Sequence, residues 1–82
     1  MTISTNKDAT LSNHLKIYIN GILHLAIRRN HLVNVQTWIN VTNETSVYFI
    51  ELFYKNGTRV ICEYNGKEKW EAIVKAIDNN LD

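Results

Sequence analysis

The chain contains the sequence VYFIELFYKNGTRVICEY at residues 47–64. Two runs rich in β-branched and aromatic residues, 47–55 and 58–64, flank the dipeptide Asn56-Gly57. Asn-Gly favours a two-residue type I′ turn, because both central residues of that turn need positive φ. The stretch therefore predicts a β-hairpin, and it is the strongest fold signal in the sequence.

A two-residue turn would pair Lys55 with Thr58 and so fix the register of the whole hairpin. Both faces of the hairpin are then largely apolar. The first face contains Val47, Phe49, Phe53, Val60, Cys62 and Tyr64, interrupted by Glu51. The second face contains Tyr48, Ile50, Leu52, Tyr54 and Ile61, edged by Arg59 and Glu63.

Upstream of this hairpin the sequence predicts three more strands. Asn20-Gly21 separates residues 15–19 from residues 22–28, and both runs are rich in Leu and Ile. Residues 33–41 alternate Val, Thr and Ile with polar residues and Trp38, which is the period of a half-buried strand. Downstream, Asn65 and Glu68 have the spacing of a capping box. An apolar stripe follows at helical spacing: Trp70, Ile73, Val74, Ile77 and Leu81.

These elements predict an α+β fold. It consists of a five-stranded antiparallel sheet, meander-like and either flat or curled, with one C-terminal amphipathic helix packed on it. Residues 14–82 would form this single domain. Residues 1–13 are rich in Thr, Ser and Asn without periodicity, so we expect a flexible lead-in, with a short strand near Thr2–Thr5 as the alternative.

The order of the last elements, a hairpin and then a helix containing Trp70, resembles minimal pleckstrin-homology-like domains. In those domains a C-terminal helix closes one end of a sheet. The resemblance is one of topology, and five strands are fewer than that family uses. It implies a fold and carries no binding residue over to this chain.

Composition narrows the classes of function. The 82 residues carry a formal net charge of +1, so no overall field would attract nucleic acid, membrane or an acidic partner. No apolar run approaches the 18 residues of a membrane-spanning helix. The single cysteine, Cys62, excludes an internal disulfide. We expect a cytoplasmic protein without a membrane partner.

The residue types of catalytic and metal sites are present but scattered. His14, His24, His31 and Cys62 lack the short paired spacings of zinc ligands. In the predicted register Cys62 lies opposite Glu51, and a carboxylate would raise the pKa of the thiol and make it less reactive. The three glycines are isolated turn residues and form no phosphate-binding loop. We therefore expect a protein that is not an enzyme, with no metal, no cofactor and no evident small-molecule ligand.

One helix can cover only one face of a sheet, and this constraint leads to a function. The charges around Ile61 make the second hairpin face the more solvated one, so the helix should cover the side of Val60 and Cys62. We therefore predict a protein–protein interaction module, binding a second copy or another protein, through an uncovered strip. A curled sheet that buries the strip is the alternative. The strip consists of Tyr48, Ile50, Leu52, Tyr54 and Ile61.

A second hypothesis is a nucleic-acid-binding accessory protein. Its basic patch would consist of Lys16, Arg28, Arg29 and His31, with His14 nearby. Tyr18 and Trp38 would supply stacking surfaces, because basic groups beside aromatic rings on a sheet can hold single-stranded nucleic acid. An ordinary solvated turn at Arg28-Arg29 is the alternative interpretation of this patch.

Overall fold

A computed structural model describes residues 1–7 and 14–80 of the chain. In chain order the strands are β1 (Ile3–Lys7), β2 (His14–Ile19), β3 (Ile22–Arg28), β4 (Leu32–Val41), β5 (Ser46–Tyr54) and β6 (Arg59–Tyr64), and the helix is α1 (Lys67–Asn80). The α+β class and the single C-terminal helix packed on antiparallel strands are confirmed. The predicted single five-stranded sheet is wrong, because the six strands form two three-stranded sheets.

The first sheet has the order β1-β2-β3 and the second has the order β4-β5-β6. The division falls at a single 3₁₀ turn, Arg29–His31, which separates β3 from β4. Strands with apolar side chains on both faces cannot be covered by one helix. Two sheets can turn their inner faces toward each other and toward α1, and that arrangement replaces the curled sheet that the sequence allowed.

Part of the predicted lead-in is a strand. β1 pairs antiparallel with β2 from Ile3 opposite Ile19 to Lys7 opposite Leu15. The Thr2 amide also donates to Asn20 Oδ1 at 2.9 Å, which holds the start of the chain against the first turn. Ile3 is the one half-buried residue of β1 and the other four are exposed, so the strand lacks the apolar alternation by which a strand is predicted. Residues 8–13, the rest of the predicted lead-in, lie outside the described residues.

The two Asn-Gly hairpins use different turns. At the first, Asn20 and Gly21 both have positive φ (51° and 80°), and Ile19 pairs with Ile22, as a two-residue turn requires. At the second, Gly57 (φ 87°) is the residue with positive φ, and its amide donates to the Tyr54 carbonyl at 3.0 Å. The Tyr54 amide donates to the Thr58 carbonyl at 2.9 Å, so the loop has three residues, 55–57.

The three-residue loop shifts β6 by one position relative to the predicted register. Leu52 pairs with Val60, Ile50 with Cys62, and Tyr48 with Tyr64. Side chains alternate between the two faces of a strand, so a shift of one position changes which β6 residues share a face with a given β5 residue. Cys62 and Val60 now share a face with Ile50 and Leu52, and not with Glu51 and Phe53.

The predicted interaction strip is therefore wrong. Ile50 and Leu52 are fully buried, while Tyr48 and Tyr54 are half-buried and pack against the core. Ile61 lies on the opposite face and is 57% exposed. The side of Val60, Cys62 and Tyr64 does face the core, but it does so together with the strip residues of β5.

The core joins both sheets to the helix. Its members from the first sheet are Leu15, Ile17 and Ile27; from the second sheet Ile50, Leu52 and Tyr64; from α1 Ile73, Ala76 and Ile77. The predicted helical stripe is confirmed at Ile73 and Ile77. Val74 and Trp70 are half-buried, and the Trp70 indole donates to the Phe49 carbonyl at 3.0 Å. Leu81 lies outside the described residues.

The helix interface gives a first prediction. The Ile73 side chain is fully buried where α1 packs on the sheets, so Ile73→Ala removes packed atoms and leaves a cavity. We expect a loss of about 2–5 kcal/mol in the free energy of unfolding. Lys75→Ala on the exposed face of the same helix should change it by no more than about 0.5 kcal/mol. Urea denaturation of both variants measures the difference, and equal stabilities would contradict a helix packed on the sheets.

The β5–β6 turn gives a second prediction. Gly57 is held at positive φ, and a Cβ added there would meet no atom within 4 Å, so backbone conformation alone determines the cost of a substitution. Gly57→Ala should cost about 1–2 kcal/mol. Gly57→Asn should recover much of that loss, because Asn tolerates the left-handed region. Thermal unfolding compares the two variants, and an Ala variant as stable as the Asn variant would rule out this loop conformation.

Candidate functional site

The predicted basic patch is partly assembled in a cleft at one end of the molecule. Arg28 at the end of β3 pairs across the ladder with His14 at the start of β2. Both line an open cleft of about 370 Å³, together with His31 from the 3₁₀ turn and Tyr54 from the end of β5. The structure thus brings together an arginine, two histidines and a tyrosine from four separate elements.

The other members of the patch lie elsewhere. Arg29 lines a separate depression with residues 32–35. Lys16 pairs with Ala26, which lines the cleft, so Lys16 belongs to its surroundings. Neither of the aromatic residues proposed for stacking, Tyr18 and Trp38, lines the cleft. Tyr54 supplies the aromatic ring instead, and the sequence prediction had assigned it to the interaction strip.

Backbone hydrogen bonds fix the walls of the cleft. The Lys55 amide donates to the His31 carbonyl at 2.8 Å, which ties the 3₁₀ turn to the β5–β6 loop. Within that loop the Thr58 amide donates to Asn56 Oδ1 at 2.9 Å. Burial raises the pKa of Tyr54, and a hydrogen bond from the Arg28 backbone lowers it in part. The Tyr54 phenol is therefore protonated at neutral pH and available as a hydrogen-bond donor.

A second polar cluster connects the two sheets. The register of β2 and β3 shifts between Ile17 and Tyr18, so that His24 is an extra residue between the pairs formed by its neighbours. Bulges re-aim side chains in this way. His24 Nε2 and Tyr64 Oη lie 2.7 Å apart, and the two rings are 5.6 Å apart at a tilt of 48°. Tyr64 is buried and Cys62 lies two residues before it on β6.

Desolvation favours the neutral form of all three groups of this cluster, of which His24 is the most exposed. Burial raises the pKa of Tyr64 far above its ordinary range, and the neighbouring Cys62 thiol adds to the rise. Burial also raises the pKa of Cys62, which a hydrogen bond with Tyr64 lowers in part. The pKa of His24 is lowered, first by burial and then by the charge of Lys69.

The cluster is therefore suited to structure and not to nucleophilic chemistry, which needs a thiolate. The sequence prediction that the Cys62 pKa is raised holds, but its stated cause was wrong. Ile50, and not Glu51, is the cross-strand partner of Cys62. The His24–Tyr64 contact was missed, because the residues are 40 positions apart and meet only through the bulge.

The outward face of the second sheet is aromatic and contains one covered carboxylate. Trp38 and Phe49 are cross-strand neighbours whose rings stack at 5.0 Å and 10°. Glu51 lies on the same face and is only 7% exposed. Its partner is Arg59 on β6, with Nη1 3.7 Å from Oε2. Ion pairing at this edge provides the partner that the covered carboxylate requires.

The four edge strands differ in how well they are protected against pairing with another chain. Charges, bulges and short length usually protect an edge. β1 has five residues and ends in Lys7, β3 is bulged at His24 and ends in Arg28, and β6 carries Arg59 and Glu63. β4 has ten residues, LVNVQTWINV, with neither charge nor proline, and its irregularity is confined to its first residues.

Within residues 1–7 and 14–80 no three His, Cys, Asp or Glu side chains come together as a metal site would require. No helix in that part of the chain is long and apolar enough to cross a membrane. Comparison with known protein families, with curated proteins and with solved structures gives no match to this chain. A functional assignment must therefore be argued from the cleft, the polar cluster and the β4 edge themselves.

The His24–Tyr64 pair predicts a pH dependence of stability. The pKa of His24 is lowered from 6.5 in the folded chain, so above pH 6.5 both states are neutral and the contribution to stability is complete. As the pH falls below 6.5 the unfolded chain binds the proton more tightly, and the contribution is lost. The melting temperature of the wild type should therefore fall more below pH 6.5 than that of His24→Gln.

The other histidines are present in both proteins, so their titration cancels in this comparison. Tyr64→Phe is the matched control, since it removes the hydroxyl that His24 contacts and keeps the buried ring. Tyr64→Phe should have a lower melting temperature than the wild type. Below pH 6.5 its melting temperature should still fall more than that of His24→Gln, because the desolvated imidazole of His24 is retained. Parallel pH profiles for the wild type and His24→Gln would show that the imidazole is not desolvated.

Proposed function

We propose that this chain is a small non-enzymatic protein–protein interaction module that associates with a second copy of itself through the free edge of β4. The observation that carries the proposal is the composition of that edge. One side of this ten-residue strand has no partner strand, and β4 lacks the charged residues that the other described edges carry. The strand is also rich in β-branched residues, which favour sheet pairing.

The backbone groups on the free side of β4 are available for pairing. The Val35 amide donates to Oδ1 of its neighbour Asn34 at 2.9 Å. The Thr42 amide, seven residues along, donates across the hairpin to the Thr45 carbonyl at 2.8 Å, so Val35 lies on the side of the strand away from β5. Amides of an antiparallel strand point alternately toward and away from its neighbour. Thr37, Ile39 and Val41 therefore lie on the same free side as Val35 and present a row of donors and acceptors.

A second copy fits this row when the two strands run antiparallel about a two-fold axis at Thr37. Val35 then lies opposite Ile39 of the second copy, and Thr37 lies opposite its own counterpart. Cross-strand pairs of β-branched residues, and Thr with Thr, stabilise a sheet. Every residue near a two-fold axis meets a copy of itself or a close neighbour, so a charge-free strand avoids like-charge repulsion.

The same register extends the aromatic outer face. Trp38, stacked on Phe49 and half-buried, lies opposite Gln36 of the second copy. The two second sheets join into one sheet of six strands, twice the three strands of each copy. The function of the module would then depend on protein concentration, because the edge is occupied only in the associated state.

Thr37→Lys tests this proposal. Lysine at the axis places two like charges opposite each other, so we expect dimer dissociation to become roughly tenfold or more easier. Thr37 is exposed, and the fold should therefore remain intact by circular dichroism. Thr5→Lys is the matched control, because it places the same charge on the exposed β1 edge and should leave association unchanged. Sedimentation velocity over a concentration series measures the association.

Two results would refute the β4 interface. One is a wild-type protein that stays monomeric up to about 1 mM, the concentration at which even weak specific pairing is visible. The other is a Thr37→Lys variant that associates as well as the Thr5→Lys control.

A nucleic-acid-binding accessory protein remains the second candidate, and one observation favours it. Arg28 lies in a cleft with His14 and His31. Binding of an oligonucleotide that weakens steeply with salt would support this candidate, since release of counterions makes such binding salt-dependent. Concentration-dependent association without oligonucleotide binding would support the interaction module.

A further inference from the structure

The cleft at the ends of β2, β3 and β5 combines hydrogen-bond donors with apolar surface. Arg28 contributes a guanidinium, His14 and His31 contribute imidazoles, and Tyr54 contributes a phenol that burial keeps protonated. Asn56 and Thr58 complete the rim. Among the described residues that line the cleft there is no carboxylate, so it is suited to an anion.

The size of the cleft indicates more than a bare inorganic ion. Its volume of about 370 Å³ is within the range of small-molecule sites, which begins near 300 Å³. The Tyr54 ring and the Ala26 methyl add apolar surface to the polar rim. We infer that this cleft binds a phosphate monoester that carries an organic group, with the phosphate at Arg28 and the organic group on the Tyr54 ring.

Arg28 is the residue on which recognition of the phosphate depends. A guanidinium presents a planar fork of N–H donors that matches two phosphate oxygens at once. The histidines on either side supply further donors, one on the same sheet as Arg28 and one on the 3₁₀ turn that follows it. Three donors from different elements thus line one concave site.

The walls of the cleft are formed before any ligand arrives. The Lys55 amide bonds the His31 carbonyl, and the Asn56 side chain is held by the Thr58 amide. Since Asn56 Oδ1 is occupied by that bond, the amide nitrogen of its side chain remains as a donor. Preformed donors reduce the ordering cost of binding.

Two observations favour a small molecule over a nucleic acid strand as the ligand of this cleft. Arg29, the other arginine of the predicted patch, lines a different depression. The chain also has a net charge of only +1, while nucleic acid binding draws on many phosphate contacts. None of the residues lining the cleft belongs to β4, so the inference stands independently of self-association.

Titration of the folded protein with three probes tests the inference: adenosine 5′-monophosphate, inorganic phosphate and adenosine. Calorimetry measures affinity, and the imidazole resonances of His14 and His31 report the location. The nucleotide should bind saturably and shift both histidines, inorganic phosphate should bind more weakly at the same place, and adenosine should not bind. Ribose 5-phosphate, added in a parallel titration, shows whether the organic group must be aromatic.

Two variants with the same change of charge make the test specific. Arg28→Gln should weaken nucleotide binding roughly tenfold or more, because it removes charge-assisted hydrogen bonds. Lys7→Gln removes a positive charge from the exposed end of the neighbouring strand β1, outside the cleft, and it should weaken binding no more than about threefold. Circular dichroism confirms that both variants are folded.

Several results would overturn the inference. One is the absence of saturable binding of every phosphate probe up to about 10 mM. Another is an equal loss of affinity in Arg28→Gln and Lys7→Gln, which would indicate diffuse charge. A third is equal binding of adenosine and the nucleotide. A fourth is tight, salt-sensitive binding confined to a single-stranded oligonucleotide, which would assign the cleft to nucleic acid.

Discussion

The backbone conformation of one residue, Gly57, determines which side chains of the second sheet form the core. Its positive φ closes a three-residue loop, and the loop sets the β5–β6 register one position away from that of a two-residue turn. With this register Cys62 and Tyr64 join Ile50 and Leu52 on one inner face. The helix packs on that face, and the covered Glu51 and the aromatic pair Trp38–Phe49 are left outside. A two-residue loop would bring Glu51 and Cys62 together instead.

The elements with a strong local signal could be predicted from the sequence. The type of the Asn20-Gly21 turn, the strand nature of residues 33–41 and the packing of Ile73 and Ile77 all follow from propensity and periodicity. β1 could be given only as the alternative to a flexible lead-in, because Ser4, Thr5 and Asn6 bear no apolar pattern and the strand is stabilised by pairing with β2. The predicted register of the second hairpin was wrong for another reason. Asn-Gly is compatible with two loop lengths, and the choice between them depends on tertiary packing.

The candidate sites show the same division. Arg28 and His31 could be identified as a basic region because they are close in the sequence. The first hairpin placed His14 near them. The participation of Tyr54 depends on the pairing of the second sheet and on the path of the 3₁₀ turn, which no local pattern specifies. The His24–Tyr64 contact depends on a bulge, and a bulge leaves no signature in a sequence without a glycine at that place. Long-range register, and not residue type, limited what the sequence could show.

The unequal protection of the edges bears on how assembly ends. A chain that associates through two different complementary surfaces can form open filaments, because each added copy exposes a free surface for the next one. Here the long unprotected edge is β4, and the other described edges carry Lys7, Arg28, or Arg59 and Glu63. In the proposed dimer, pairing of β4 with itself would occupy the exposed row of both partners and leave no free row for a third chain. The charges on the remaining edges would then prevent further strand addition and confine a strand of high β-propensity to a closed pair.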